Sequence, residues 1–316
     1  MKVFITRSLP GNIEKLLRKN GHTVVTFKKE YPISKTELIK NARNADALIS
    51  LLTDKIDSEI IDNLKSCKII ANYATGYNNI DINYAKQKNI IVTNTPDILT
   101  NATAEIALTL ALACSRRVIE GHEFVKKKKF RGWAPKLLLG IEMTGKTIGI
   151  IGAGRIGYAV AKRFKGFDTN IIYYNRSKKN KFETEFGAKK VSLKKLMTDS
   201  DIISIQIPLT KESYHLIDKN HLSVLKPNAI LINIARGEVV DEKYLIQLLK
   251  KGKIHSAGFD VYENEPNIDP ELLKLPNVVL LPHIGSATVE ARTKMAQLCA
   301  ENVLRVLKGK SAKTPV

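Results

Sequence analysis

Arg236, Glu265 and His283 each stand where a short apolar run gives out. Arg236 is next to last in AILINIARG, Glu265 is next to last in SAGFDVYENEP, and His283 follows NVVLLP. These runs predict successive parallel strands, and in open α/β sheets ligands sit in the crevice at the carboxyl ends of strands. The three residue types complement one another. Arginine presents a planar fork that grips a carboxylate through two hydrogen bonds, which lysine cannot do. Histidine titrates near neutrality and so can both give and take a proton. A carboxylate beside it stabilises the imidazolium. A guanidinium, a carboxylate and an imidazole gathered on one rim form a catalytic set.

A second constellation lies upstream. TIGIIGAGRIG places Gly152, Gly154 and Gly157 in a GxGxxG spacing after an apolar strand, and the helical pattern YAVAKRFKGF follows. Strand, glycine turn and helix in this order predict a dinucleotide site. The first glycine permits the tight turn, the second lets the backbone approach a pyrophosphate, and the third lets helix and strand pack closely. The pyrophosphate would rest on free N–H groups at the positive end of the helix dipole.

The cofactor's identity depends on the residues after the next strand, TNIIYYN. An acidic side chain there normally accepts hydrogen bonds from the ribose hydroxyls and repels a 2′-phosphate. This chain has Asn175, Arg176 and Ser177, followed by two lysines. No carboxylate rejects the phosphate and several donors can receive it, which favours NADP(H). An asparagine can still bond a plain ribose, so NAD(H) remains open.

These residues are carried by a regular alternation of elements. Val3–Thr6, Thr23–Phe27, Ala47–Leu52, Lys68–Asn72 and Ile90–Thr93 read as strands. Ile13–Lys19, Lys35–Asn44, Ser58–Lys65 and Ile82–Gln87 read as the helices between them. One long helix is predicted from near Asn101 toward Phe124. A second alternating series runs from Lys146 to His283, and Val289–Leu307 has the spacing of a final amphipathic helix. Such alternation predicts parallel sheets covered by helices on both faces, here two doubly wound domains.

Composition sets the outer limits. A chain of 316 residues, 44% hydrophobic and 26% charged, suits a soluble globular protein of about two domains. Its longest strongly apolar helical stretch, Ile106–Cys114, is far short of the ~20 residues of a membrane span, and the start lacks a signal peptide's long apolar centre. Cys67, Cys114 and Cys299 stand in apolar surroundings and predict reduced core thiols in a cytoplasmic setting. CxxC and HExxH patterns are absent, so no metal is expected. The net charge of +20 includes the run Lys126–Lys129 and eight basic residues between Arg176 and Lys195. Neither cluster sits on a nucleic-acid-binding frame, and aromatics do not interleave with it as a stacking platform requires. Nucleic acid and membrane are therefore not expected partners.

Six segments carry a wider likeness: ANYATGYNNID (71–81), TNTPDILTNATAEIAL (93–108), GKTIGIIGAGRIGYAVAKR (145–163), NIARGEVVDE (233–242), FDVYENEP (259–266) and LLPHIGSAT (280–288). Through them the chain resembles the D-isomer-specific 2-hydroxyacid dehydrogenases, most closely their glyoxylate/hydroxypyruvate reductase branch. The resemblance implies a Rossmann-type cofactor domain, 99–285, inserted in a flavodoxin-like substrate domain, 1–98 completed by 286–316. It implies that Arg236 holds the substrate carboxylate, that His283 donates the proton, and that Glu265 bonds to and tunes that histidine. The backbone at Thr75 and Gly76 would also receive the carboxylate. Leu51 and Leu52, at the end of a predicted strand, would form an apolar wall over a small substrate or pack in the core. The expected cofactor set is completed by Arg155, Ile156, Pro208, Ala235, Asp260 and Thr103. A homodimer through the cofactor domains is implied as well. Related enzymes have a tryptophan near Trp133, which would line a pocket or pack in a core or interface.

The chemistry fits those roles. Reducing a 2-keto acid turns its carbonyl oxygen into a developing alkoxide that must receive a proton, while the nicotinamide supplies the hydride. The expected substrates are glyoxylate and hydroxypyruvate. A 3-phosphoglycerate dehydrogenase is the nearest alternative, and the absence of sequence beyond Val316 weighs against it. A dinucleotide-sensing binding protein is another, opposed by the complete Arg236–Glu265–His283 set. The five other histidines, His22, His122, His215, His221 and His255, read as structural.

Overall fold

A computed structural model describes residues 1–316. The chain divides into two compact units, Met1–Leu99 with Ser286–Val316, and Thr100–Gly285.

The first unit is built on five parallel strands, β1 (Lys2–Ile5), β2 (Thr23–Thr26), β3 (Ala47–Leu51), β4 (Ile69–Tyr73) and β5 (Ile91–Thr93), in the order β2-β1-β3-β4-β5. This is the flavodoxin-like winding, which reverses direction between β1 and β3. The inner strands are near-continuous apolar runs because both faces of the sheet are covered, and every residue of β4 is buried. One face packs on the helix Val289–Leu307, where Met295, Ala296, Cys299, Ala300 and Val303 meet Val3, Ile5, Ile49, Ile69 and Ala71.

The second unit has seven parallel strands: β6 (Thr147–Ile151), β7 (Asn170–Tyr174), β8 (Lys189–Lys190), β9 (Ile202–Ile205), β10 (Ile230–Asn233), β11 (Ser256–Phe259) and β12 (Val278–Leu280). Their order is β12-β11-β10-β9-β6-β7-β8. The winding reverses between β6 and β9, which is the dinucleotide-binding topology extended by one strand. Helices Thr100–Ser115 and Arg155–Lys165 cover one face, and Leu193–Asp199 and Glu242–Lys250 lie over the other.

The sequence predicts one helix from Asn101 toward Phe124; two form, Thr100–Ser115 and Val118–Lys126. A neighbouring segment makes the break. The Ile141 N–H donates to the Ser115 carbonyl at 2.7 Å, taking an acceptor that a continuing helix would use. A β-carbon at Gly140 would stand 2.3 Å from that same oxygen. Arg117 then turns the chain with φ 52° and pairs with Glu120 through two hydrogen bonds, at 2.8 and 2.9 Å. Helices predicted to reach Asn44 and Lys65 stop at Ala42 and Asn63. All three cysteines are free and buried, and burial pushes the Cys67 and Cys114 thiols up to about 12. No helix is long and apolar enough to cross a membrane.

Candidate active site

Strands β10, β11 and β12 are neighbours in the sheet. Adjacent strands lie about 4.8 Å apart, so the segments leaving their carboxyl ends start side by side. Arg236, Glu265 and His283 ride on those three segments. His283 Nδ1 lies 2.8 Å from Glu265 Oε2. Glu265 Oε1 accepts the Tyr262 N–H at 3.0 Å. Burial works to raise the Glu265 carboxyl, but the bond and charge of His283, the Tyr262 N–H and the Arg236 guanidinium hold it below the ordinary glutamate value. An ionised carboxylate only accepts, so Nδ1 carries the shared proton and Nε2 is the ring nitrogen left for exchange. Arg236 is half-buried and donates from Nη1 to the Ala235 carbonyl at 2.7 Å. Burial draws its pKa down, against the nearby Glu265 and Glu238 carboxylates. His283 takes φ 52°, a backbone conformation that costs a non-glycine residue energy and is held by its surroundings.

Those surroundings are specific. The buried Asp260 carboxylate accepts the N–H groups of Ile284 and Gly285, at 2.7 Å each, and so fixes the chain just after His283. Burial raises the Asp260 carboxyl above its ordinary value despite these two donors. On the Glu265 segment, the Glu263 N–H reaches the buried Glu242 carboxylate at 3.2 Å. Glu263 Oε1 lies 2.9 Å from His215 Nε2. His215, predicted to be structural, thus ties the loop after β9 to the loop bearing Glu265. The pair is 48 residues apart in the chain, and no local pattern announces it.

The glycine turn occupies the reversal point of the same sheet. Gly152 has φ 100°, and a β-carbon on it would stand 2.8 Å from Ile207 Cγ2; one on Gly157 would stand 2.0 Å from the Gly152 carbonyl oxygen. A β-carbon on Gly154 would meet nothing within 4 Å. The fold needs the first and third glycines, whereas the second keeps the space at the start of helix Arg155–Lys165 clear. Such a cradle fits a pyrophosphate on free helix N–H groups. Arg155 and Ile156 open that helix, and Ile156 packs against its core. Asn175 joins the turn to the end of β7. Its Oδ1 accepts the Ala153 N–H at 3.3 Å and its Nδ2 donates to the Ser177 carbonyl at 2.9 Å. Arg176 and Ser177 are exposed beside it.

The remaining predicted residues fall into two groups. In the second unit, Pro208 follows β9 with its carbonyl bound by Ser213 Oγ at 2.7 Å. The Ala235 N–H donates to Asn233 Oδ1 at 3.1 Å. Thr103 is buried next to Gly285, where a β-carbon would lie 3.6 Å from its hydroxyl oxygen. In the first unit, Leu52, Thr75 and Gly76 gather at the carboxyl ends of the adjacent strands β3 and β4. The Thr75 hydroxyl donates to the Thr95 carbonyl at 3.0 Å, and the Gly76 carbonyl accepts Asn72 Nδ2 at 2.9 Å. Leu52 is exposed rather than core. Trp133 does not pack in a core either, being 85% exposed.

The chain is similar to known proteins along its whole length. Residues 108–285 match the NAD binding domain of the D-isomer specific 2-hydroxyacid dehydrogenases. A glyoxylate reductase of Thermococcus litoralis is 50% identical over 312 residues, covering 98% of this chain and 94% of that one. A glyoxylate reductase of Pyrococcus furiosus is 47% identical over 319 residues, covering 100% and 95%. Among solved structures, a Thermus thermophilus protein superposes with a TM-score of 0.95 at 39% identity, over 100% of both chains. An NADPH-dependent glyoxylate/hydroxypyruvate reductase of Sinorhizobium meliloti, in complex with NADP and malonate, gives 0.88 at 30% identity, over 100% of this chain and 96% of that one.

Proposed function

The chain belongs to the D-isomer specific 2-hydroxyacid dehydrogenase family, and on that premise we propose that it reduces small 2-keto acids, glyoxylate and hydroxypyruvate, to their D-2-hydroxy acids. The observation that carries the reading is the His283–Glu265 pair, 2.8 Å apart, on the rim that also bears Arg236. When bound, the nicotinamide cofactor supplies the hydride. Arg236 grips the substrate carboxylate through both arms of its fork and so orients the adjacent carbonyl. His283 gives its Nε2 proton to the carbonyl oxygen as negative charge develops there, and takes it back in the reverse direction. Glu265, held ionised, fixes the imidazole through Nδ1. With the glycine turn, Thr103, Pro208 and Ala235 would hold the cofactor, and the buried Asp260 would support it by fixing the Ile284 and Gly285 amides.

For the cofactor, the reading is NADP(H) in preference to NAD(H). Asn175 supplies no charge against a 2′-phosphate, and Arg176 and Ser177 stand exposed beside it as donors. The working form is a homodimer joined through the second unit. Val118, Ile119, Val125, Phe130, Trp133 and Leu139 are all at least half exposed in the single chain, and a dimer through this segment would cover them.

Initial rates of NADPH and NADH oxidation with glyoxylate, hydroxypyruvate, pyruvate and 3-phosphohydroxypyruvate test the proposal. Fast NADPH oxidation with the two small acids is expected. Preference for NADH and the phosphorylated acid would overturn both the substrate and the cofactor reading.

A further inference from the structure

We infer that Lys190 is a specificity-determining residue for the cofactor's 2′-phosphate, placed at the Arg176 turn by strand pairing rather than by the sequence that follows β7. The inference rests on the NADP(H) reading above and adds to it a residue 13 positions beyond the expected Asn175–Ser177 stretch.

Strand β8 is only two residues long and lies at the edge of the sheet, where Lys190 pairs with Tyr173, one residue before the end of β7. That register sets Lys190 level with the carboxyl end of β7, from which Asn175, Arg176 and Ser177 leave. Lys189 points to the other face, as alternate residues of a strand must. The Lys190 ammonium reaches the turn and donates to the Arg176 carbonyl at 3.2 Å.

Three other lysines of this basic stretch are differently engaged. Lys178 pairs with Glu183 at 3.2 Å, Lys181 lies over the Tyr158 ring at 5.2 Å from its centroid, and Lys195 pairs with Asp199 at 2.6 Å. The Lys190 ammonium instead meets a neutral carbonyl, while the Glu183 carboxylate beside its backbone N–H is paired with Lys178. An ammonium has three donors; one anchors it to the turn, and two remain for phosphate oxygens. The hydrogen bond to Arg176 also holds the side chain in place before ligand arrives, which lowers the entropy lost on binding. Arg176 offers a fork and Lys190 a point charge from the adjoining strand, a pairing suited to a phosphate dianion on a ribose.

The test uses the full-length protein with Lys190→Met and Lys190→Arg. Calorimetry measures binding of adenosine 2′,5′-bisphosphate and of AMP, which differ by the 2′-phosphate, and steady-state kinetics give KM for NADPH and NADH. Lys190→Met should bind the bisphosphate about 10- to 100-fold more weakly, the loss expected of a charge-assisted hydrogen bond. Its AMP affinity, and its KM for NADH, should stay within about twofold, and Lys190→Arg should recover most of the bisphosphate affinity. Equal loss for both nucleotides would show that Lys190 merely braces the turn, and the inference would fall. Undiminished bisphosphate binding by Lys190→Met, in a protein whose wild type prefers it to AMP, would overturn Lys190's role alone. A wild type that does not distinguish the two nucleotides would overturn the NADP(H) reading and Lys190's role with it.

Discussion

Gly237 lies against the backbone of Tyr262 so closely that a β-carbon on it would stand 1.9 Å from the Tyr262 carbonyl carbon. Gly237 follows Arg236, and Tyr262 opens the turn whose N–H is bound by Glu265. The guanidinium and the carboxylate of the site are therefore positioned by one backbone-to-backbone contact between neighbouring strand ends. Gly237→Ala has no flexible side chain to push aside, so the two segments must part. The expected stability loss is at least about 2 kcal/mol, the range of overpacked cores, with a fall in kcat/KM larger than unfolding explains at the assay temperature. Thermal melts and keto-acid kinetics on the same preparation check it. A variant of unchanged Tm and activity would mean that this contact does not hold the site together.

His283→Gln removes the proton carried at Nε2 while preserving a polar side chain. Turnover should fall by about 10²- to 10⁴-fold, the usual worth of a positioned general acid. Affinity for the dinucleotide should hold, because the glycine turn is untouched. Fluorescence titration with NADPH and single-turnover reduction separate the two effects. Retention of most of the wild-type rate would remove His283 from the chemistry.

Glu242 gives a pH signature of opposite sign to that of Glu265. Burial, with repulsion from Glu263, Asp269 and Glu238, raises the Glu242 carboxyl above its ordinary value although the Glu263 N–H opposes this. A carboxyl whose folded pKa is raised stabilises the fold below its unfolded pKa, and that stability is lost as pH rises through the folded value. Glu242→Gln keeps an oxygen for the Glu263 N–H but cannot ionise. Its Tm should match wild type in mild acid and exceed it increasingly toward neutral pH. A constant Tm difference across that range would show that Glu242 does not titrate as described.

For Glu265 the sign reverses. Its depressed carboxyl contributes stability above its unfolded pKa, lost as pH falls through the lower folded value. Glu265→Gln should therefore lose stability against wild type at neutral pH and converge with it in acid, as Tm measured across the same series will report.

Asn175→Asp puts a carboxylate at the end of β7. Its Oδ1 can still accept the Ala153 N–H, now 3.3 Å away, so the turn should persist. The ratio of kcat/KM for NADPH to that for NADH should drop by about tenfold or more, since tenfold corresponds to only ~1.4 kcal/mol and a unit charge near a phosphate supplies as much. An unaltered ratio would mean that the 2′-phosphate is recognised elsewhere.

Much of this protein is legible along the chain because its elements are local in origin. Strands buried on both faces must be apolar runs, and helices over them must repeat near every third or fourth residue, so the alternation, the two parallel sheets and the final helix Val289–Leu307 follow from pattern. The glycine turn follows for the same reason, since strand, turn and helix are contiguous. Arg236, Glu265 and His283 stand out because each lies in the short segment that follows an apolar strand.

What the sequence does not carry is which distant groups meet. The helix predicted from Asn101 toward Phe124 is broken by the Gly140–Ile141 segment, whose contact with Ser115 has no trace in the helical pattern itself. The sequence marks Asp260 as a cofactor-site residue only through a resemblance; folding alone brings its carboxylate to the amides of Ile284 and Gly285, 24 and 25 positions on. The same holds for Glu263 with His215 and for Lys190 at Arg176. Periodicity determined the scaffold and the strand ends, because burial of apolar surface repeats with the geometry of each element. Tertiary structure decided the order of the strands and the long-range hydrogen bonds that orient the site, because those depend on directional contacts between groups whose separation along the chain sets no local pattern.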